Sequence, residues 1–199
     1  RMASLKEIKG RIASVRTTLK ITSAMKMVAS AKLHKAQQAI GNMLPYEKQL
    51  HRMLVDLISA AEAKGKGTSE YSLTTARPVR KVAIVAFASN SSLCGAFNSN
   101  AVRTALEVVN EYTAAGFSSS DITVYSVGRK MAEAMKKAGF GSPEDFTPMS
   151  ANPSYEAASA LAYELLNGFT EGRFDSVELV FNHFHSTSSQ PSMRQTFLP

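Results

Sequence analysis

Steps of three and four residues, taken alternately from Leu5, land on Ile8, Ile12, Val15, Leu19, Thr22, Lys26, Ala29, Leu33, Ala36, Ile40, Met43, Glu47, Leu50, Leu54, Leu57 and Ala61. Only Thr22, Lys26 and Glu47 interrupt an apolar or alanine seam. A repeat of 3.5 residues sustained this long predicts a coiled-coil helix, because a helix lying on a globular core shows a broader stripe and ends sooner. Ser4 followed three residues later by Glu7 is a capping box that can start the helix. Pro45 is expected to bend it or divide it in two. A straight helix from Leu5 to Ala61 would be about 85 Å long, about twice the diameter of the domain that follows, so it is expected to project.

Such a seam needs a partner. Each large side chain at Leu5, Ile8, Ile12, Val15, Leu19, Leu33 and Ile40 forfeits about 1.5–3 kcal/mol if left in water. No other part of the 199 residues repeats the heptad for long enough to cover it. The second helix is expected either from another chain or from a continuation past Pro199, and the ending RQTFLP favours truncation. Arg1 ahead of Met2-Ala3-Ser4 reads as a remnant before a natural start.

Charge is uneven. Residues 1–54 hold 11 Lys or Arg against Glu7 and Glu47, a balance of +9, while the remainder holds 12 against 14, or −2. The basicity of the first segment fits a solvated helix face, nucleic acid, an anionic membrane surface or an acidic protein. No apolar run reaches the length needed to span a bilayer, and the start lacks the layout of a secretory signal. The single cysteine, Cys94, suits a reducing compartment, and the four histidines show no zinc spacing.

Beyond a Gly/Ser/Thr-rich linker over 62–78, residues 79–199 read as a Rossmann-like α/β domain with a doubly wound, mostly parallel sheet. Strands are expected at 81–89, 121–128 and 176–185, helices within 96–116, at 129–138 and around 155–169, and a last edge strand at 194–198. The first strand leads into NSSLCGAFNSN, Asn90 to Asn100, which holds Gly95 but lacks the GxGxxG spacing of a dinucleotide site. Gly65 to Thr68, GKGT, likewise lacks the Walker spacing. Cys94 is the sole candidate nucleophile, with His183 or His185 as its possible base. The alternative is a small buried cysteine in a tight turn, with both histidines as ordinary strand residues.

IKGRIASVRTTLKITSAMKMVASAKLHKAQ, Ile8 to Gln37, resembles the N-terminal helix of the γ subunits of F-type rotary ATP synthases, with the KIT, AMKMVA and AKL elements in order and spacing. SLCGAFNSN, Ser92 to Asn100, is similar to that family's turn after the first strand, here Leu93, Cys94 and Gly95. NHFHSTSSQPSMRQTFLP, Asn182 to Pro199, resembles the strand that runs to an LLP-like end. Two departures stand out. Asn90, Ser91 and Ser92 occupy the place of the family's Asp-Arg/Lys-Gly triplet, and the chain stops before the family's long C-terminal helix.

The resemblance implies a central-stalk rotor subunit, without catalytic residues, cofactor or metal, that couples proton- or sodium-driven rotation to conformational change in an α/β hexamer. The N-terminal helix would pair with the missing C-terminal helix as an axle. Lys20, Met25, Lys26, Met27, Lys32 and Lys35 would meet the surrounding α and β subunits, the lysines facing acidic β loops and the methionines sliding past changing neighbours. The α/β domain would meet the ε subunit and the membrane c-ring, at the cytoplasmic face of the bacterial inner membrane. The rival readings are a basic-helix nucleic-acid-binding protein, whose affinity would fall steeply with salt, and a stand-alone enzyme. The absence of aromatic residues between Met2 and Pro45 fits a partner helix better than stacked bases.

Overall fold

The computed structural model describes residues 4–63 and 72–199. Arg1–Ala3 and the 64–71 part of the expected linker lie outside the described residues. The chain divides into two compact units, Arg1–Lys66 and Gly67–Pro199.

The first unit is a single helix, α1 (Leu5–Ala63), of 59 residues. Ser4 starts it: its Oγ accepts the Glu7 N–H at 3.3 Å, and its carbonyl accepts the Ile8 N–H at 3.1 Å. Of the two outcomes expected at Pro45, division does not occur: α1 runs through it undivided. Proline removes one N–H and crowds the carbonyl four residues back. That residue is Gly41. The helix is exposed there, so water can reach the orphaned carbonyl and the cost stays local.

The second unit is built on a four-stranded sheet in the order β2-β1-β3-β4, with β1 (Val82–Phe87), β2 (Ile122–Val127) and β3 (Ser176–Asn182) parallel and β4 (Ser192–Leu198) antiparallel at the edge. The run VAIVAF is apolar without alternation because successive side chains point to opposite faces and both faces are covered. On one face Val82, Ile84 and Val124 pack against Ala101, Ala105 and Val108 of α2 (Phe97–Ala114) and Met131 and Met135 of α3 (Arg129–Lys137). On the other, Ala83, Val85 and Tyr125 meet Leu161, Leu165 and Phe169 of α5 (Tyr155–Thr170). The 101, 105, 108 and 161, 165, 169 spacings are the inward stripes of amphipathic helices. A short helix, α4 (Thr147–Ala151), which the sequence pattern did not indicate, precedes α5.

β3 is shorter than expected. After Asn182 the His183 N–H turns to the Pro191 carbonyl at 2.9 Å, and a tight turn at Ser186–Ser189 reverses the chain into β4. His183 and His185 therefore lie beyond the strand, exposed, and are not strand residues. The edge strand is fastened through Glu178, only 6% exposed. Arg194 donates to both of its carboxylate oxygens, at 2.6 and 2.9 Å, and the Tyr112 hydroxyl donates to one of them at 2.6 Å. Burial and the neighbouring Glu178 carboxylate push the Tyr112 phenol up to about 12.

Candidate functional site

Two regions carry the residues singled out in the sequence. The first is α1. Of Ser4–Ala60, every residue is exposed except Leu33 and Ile58, which are half-buried. Seam residues Leu5, Ile8, Ile12, Val15, Leu19 and Ile40 all stand in solvent, Leu19 at 63%. Thr22, the first interruption of the seam, is satisfied by its own helix, since its hydroxyl donates to Thr18 O at 2.8 Å and Leu19 O at 3.1 Å. Lys26 and Glu47 have no hydrogen bond or ion pair among the described residues, whereas Arg11 and Glu7 pair at 2.8 Å.

The six expected contact residues do not form one patch. At about 100° per residue, Lys20 and Met27 lie within about 20° of each other on one side of the helix, and Met25 and Lys32 on another. Lys35 lies between these pairs. Lys26 is about 180° from Lys35, in the seam itself. Met27 is 73% exposed, and with Ser23, Lys26, Ser30, Ala31 and His34 it lines a shallow surface hollow.

The second region is the turn after β1. It sits at the carboxyl edge of the sheet where β1 connects to β2 on one side and neighbours β3 on the other, the position at which such sheets bind ligands. Asn98, one helical turn beyond Cys94, organises it. Its Oδ1 accepts the Ser89 N–H and hydroxyl, each at 3.0 Å, and its Nδ2 donates to Ser91 O at 2.7 Å and Cys94 Sγ at 3.0 Å. Gly95 takes φ +58°, a left-handed conformation that glycine adopts without strain. Gly128, at φ +99°, lets α3 start against this edge, since a Cβ there would meet the Ala88 carbonyl at 2.1 Å. Arg129 closes the turn from that side: its N–H donates to Asn90 Oδ1 at 2.7 Å and its guanidinium to Asn90 O at 2.6 Å. Cys94 is half-buried rather than buried, and its sulfur contacts are Asn98 and Ser91. Leu93 is held outward at 83% exposure. Asn90 was noted in the sequence only as a departure from the family's triplet, and Asn98 and Arg129 were not picked out. The four-residue spacing from Cys94 to Asn98 at the start of a helix was the available signal.

Among the described residues no helix is long and apolar enough to cross a membrane, and no group of three His, Cys, Asp or Glu is placed to hold a metal ion.

The family model described as ATP synthase matches residues 4–199. An ATP synthase gamma chain of Phocaeicola vulgatus is 52% identical over 198 residues, covering all of this chain and 66% of the relative. One from Bacteroides thetaiotaomicron is 50% identical, with 100% and 64% covered. The chain thus spans just under two thirds of the length of these relatives. A chain of the Tetrahymena thermophila mitochondrial ATP synthase central stalk and c-ring aligns at a TM-score of 0.46 and 19% identity, over 76% of this chain and 71% of that one. With its match running from the first turn of α1 through β4, the chain belongs to the ATP synthase family that the model describes.

Proposed function

We propose that this chain is the N-terminal helix and α/β domain of a γ subunit, the central-stalk rotor that couples ion-driven rotation to the catalytic sites of an α/β hexamer. The observation that carries it is α1: a helix of 59 residues whose large apolar side chains stand in solvent. The likeness to gamma chains along the whole chain supports the same reading. On this reading the seam pairs with the C-terminal helix to make a stiff axle. Lys20, Met25, Met27, Lys32 and Lys35 face outward to the α and β subunits, while Lys26 stands in the seam. The α/β unit meets the ε subunit and the c-ring, on the cytoplasmic face of the bacterial inner membrane, and the coupling ion is a proton or sodium.

The chain does no bond chemistry. An asymmetric axle presents different sides to each β subunit and so biases it among conformations of different nucleotide affinity. Lysines suit this work because each exposed ion pair is worth only about 0–1 kcal/mol, so contacts are made and released without trapping the rotor. The test is the triple variant Lys20→Glu, Lys32→Glu and Lys35→Glu in the full-length protein, copurified and reconstituted with α and β chains. ATPase turnover and ion pumping are measured across ionic strength. Weakened assembly and coupling at low salt, partly restored as salt screens the repulsion, is expected. Coupling and assembly identical to wild type at every salt would remove α1 from the torque-bearing surface.

A further inference from the structure

The seam of α1 has two residues that make no hydrogen bond or ion pair with their own helix, and both are charged. Lys26 has Thr22, Ser23, Ala29 and Ser30 as its neighbours three and four residues away, so no carboxylate on the same helix can reach it. Glu47 has Met43, Leu44, Leu50 and His51 in the same places, with no lysine or arginine. Thr22 differs because its hydroxyl is spent on its own backbone. Lys26 and Glu47 fall on equivalent heptad positions, 21 residues or three heptads apart. A lone charge at a core position of a coiled coil costs stability unless the facing helix answers it, and in that case it selects one register over its neighbours.

We propose that Lys26 and Glu47 set the register of the helix that covers this seam. That helix presents an acidic residue to Lys26 and a basic residue to Glu47, about three heptads apart within its own apolar repeat. Lys26 is then an internal residue of the axle rather than a contact to the surrounding ring. The inference rests on the reading of α1 as half of a paired axle, and commits to the remaining part of the same protein as the source of the second helix. Length supports that source. Relatives of which 198 matched residues are 66% have on the order of 100 further residues, enough for a helix as long as Leu5–Ala61. A helix returning antiparallel would carry its basic residue about 21 residues before its acidic one. Charge complementarity makes a slip of one heptad unfavourable, because it sets Lys26 and Glu47 against apolar layers.

The experiment uses the full-length protein, free of α and β chains, and reads amide exchange over residues 19–33. Lys26→Glu is compared with Lys20→Glu, with Lys26→Met and with Leu19→Asp, which damages the seam irrespective of register. Lys26→Glu should speed exchange about tenfold or more, while Lys20→Glu leaves it at the wild-type rate. Lys26→Met should keep protection, because an apolar layer replaces the charge, but should let cysteine pairs placed across the two helices crosslink in more than one register. If Leu19→Asp speeds exchange and Lys26→Glu does not, the lysine escapes along its stem past Ser23 and Ser30 into water, and the proposal is overturned. A single crosslinking register in Lys26→Met overturns it as well. If Leu19→Asp also leaves exchange unchanged, the seam is unpaired, and the failure is of the axle reading itself.

Discussion

Val82, Ile84 and Met131 in the α/β unit are fully buried, while Leu19, Met27 and Leu57 in α1 are each more than 60% exposed, although all six are apolar residues in regular elements. The two units solve different problems. In the sheet, the residues of β1 and β2 find helices on both faces from within the same 133-residue unit, so the hydrophobic term is collected locally. In α1 an equally regular pattern collects almost nothing from the described residues. On the proposed reading, a seam without local cover is specified by something outside the helix, and what it stabilises is an assembly.

That difference is broken most directly by truncation at matched positions. Phe169 is fully buried, with the Arg77 guanidinium 4.3 Å above its ring. Phe169→Ala should cost about 3–5 kcal/mol, enough to unfold much of the α/β unit. Leu19→Ala in the same chain should stay within about 0.5 kcal/mol, because the side chain it shortens touches little. Urea unfolding followed by tyrosine fluorescence reads the first, and helical circular dichroism the second. A Leu19→Ala cost approaching that of Phe169→Ala would mean the seam is already buried in solution, by self-association. Sedimentation tests that directly: the chain alone should either associate through the seam or exchange its amides rapidly over the first turns of α1, since an isolated helix gains little from propensity. A strictly monomeric chain with those amides strongly protected contradicts the comparison.

The same contrast explains what could be read in advance. The strands and long helices were legible because burial on two faces forces continuous apolar runs such as VAIVAF, and one-sided burial forces the 161, 165, 169 spacing. The end of β3 was not, because NHFH continues a strand-like pattern and only the His183 amide turning to Pro191 stops it. The undivided course through Pro45 goes with the exposure of the helix there, which leaves the carbonyl four residues back open to water and which no propensity contains. In the turn, Leu93, Cys94 and Gly95 were found by resemblance, but the residue that organises them is Asn98. Side-chain to backbone bonds of this kind follow from three-dimensional closure and leave little trace in a pattern.

Alkaline pH should separate the units more gently than truncation. Burial first, with the nearby Glu178 and Glu164 carboxylates, pushes the phenols of Tyr112 and Tyr125 up to about 12 from 10. Both are held protonated in the fold beyond the point where an unfolded chain has released its protons. Their contribution to stability is therefore complete below pH 10 and is lost as pH rises through 12. The α/β unit should become easier to unfold by urea across that window, with late phenol ionisation visible in the ultraviolet. Tyr112→Phe should remove one late-ionising phenol and cost about 0.5–1.5 kcal/mol at neutral pH through the hydrogen bond lost by Glu178. If the native protein ionises every tyrosine near 10, the packing around Glu178 is looser than its geometry shows.

The smallest effect is expected where the sequence offered its one candidate nucleophile. Cys94 lends Asn98 a sulfur acceptor at 3.0 Å and otherwise touches Ser91 O at 3.7 Å, so a serine hydroxyl can take over both contacts. Cys94→Ser should change stability by less than about 0.5 kcal/mol and leave turnover of a reconstituted complex nearly unchanged. Asn98→Ala, four residues on, is the sharper probe. It removes both acceptor bonds to Ser89 and leaves the Ser91 carbonyl without its 2.7 Å donor, at a cost of about 1–3 kcal/mol. It should also release Leu93, whose exposed position depends on a stiff turn beneath it. The pair of variants therefore separates a turn that positions an apolar residue for a neighbour from a turn that holds a reactive thiol. Loss of turnover in Cys94→Ser with folding intact would favour the thiol. Loss of assembly in Asn98→Ala alone would assign the turn to a partner-facing surface, the role proposed for α1.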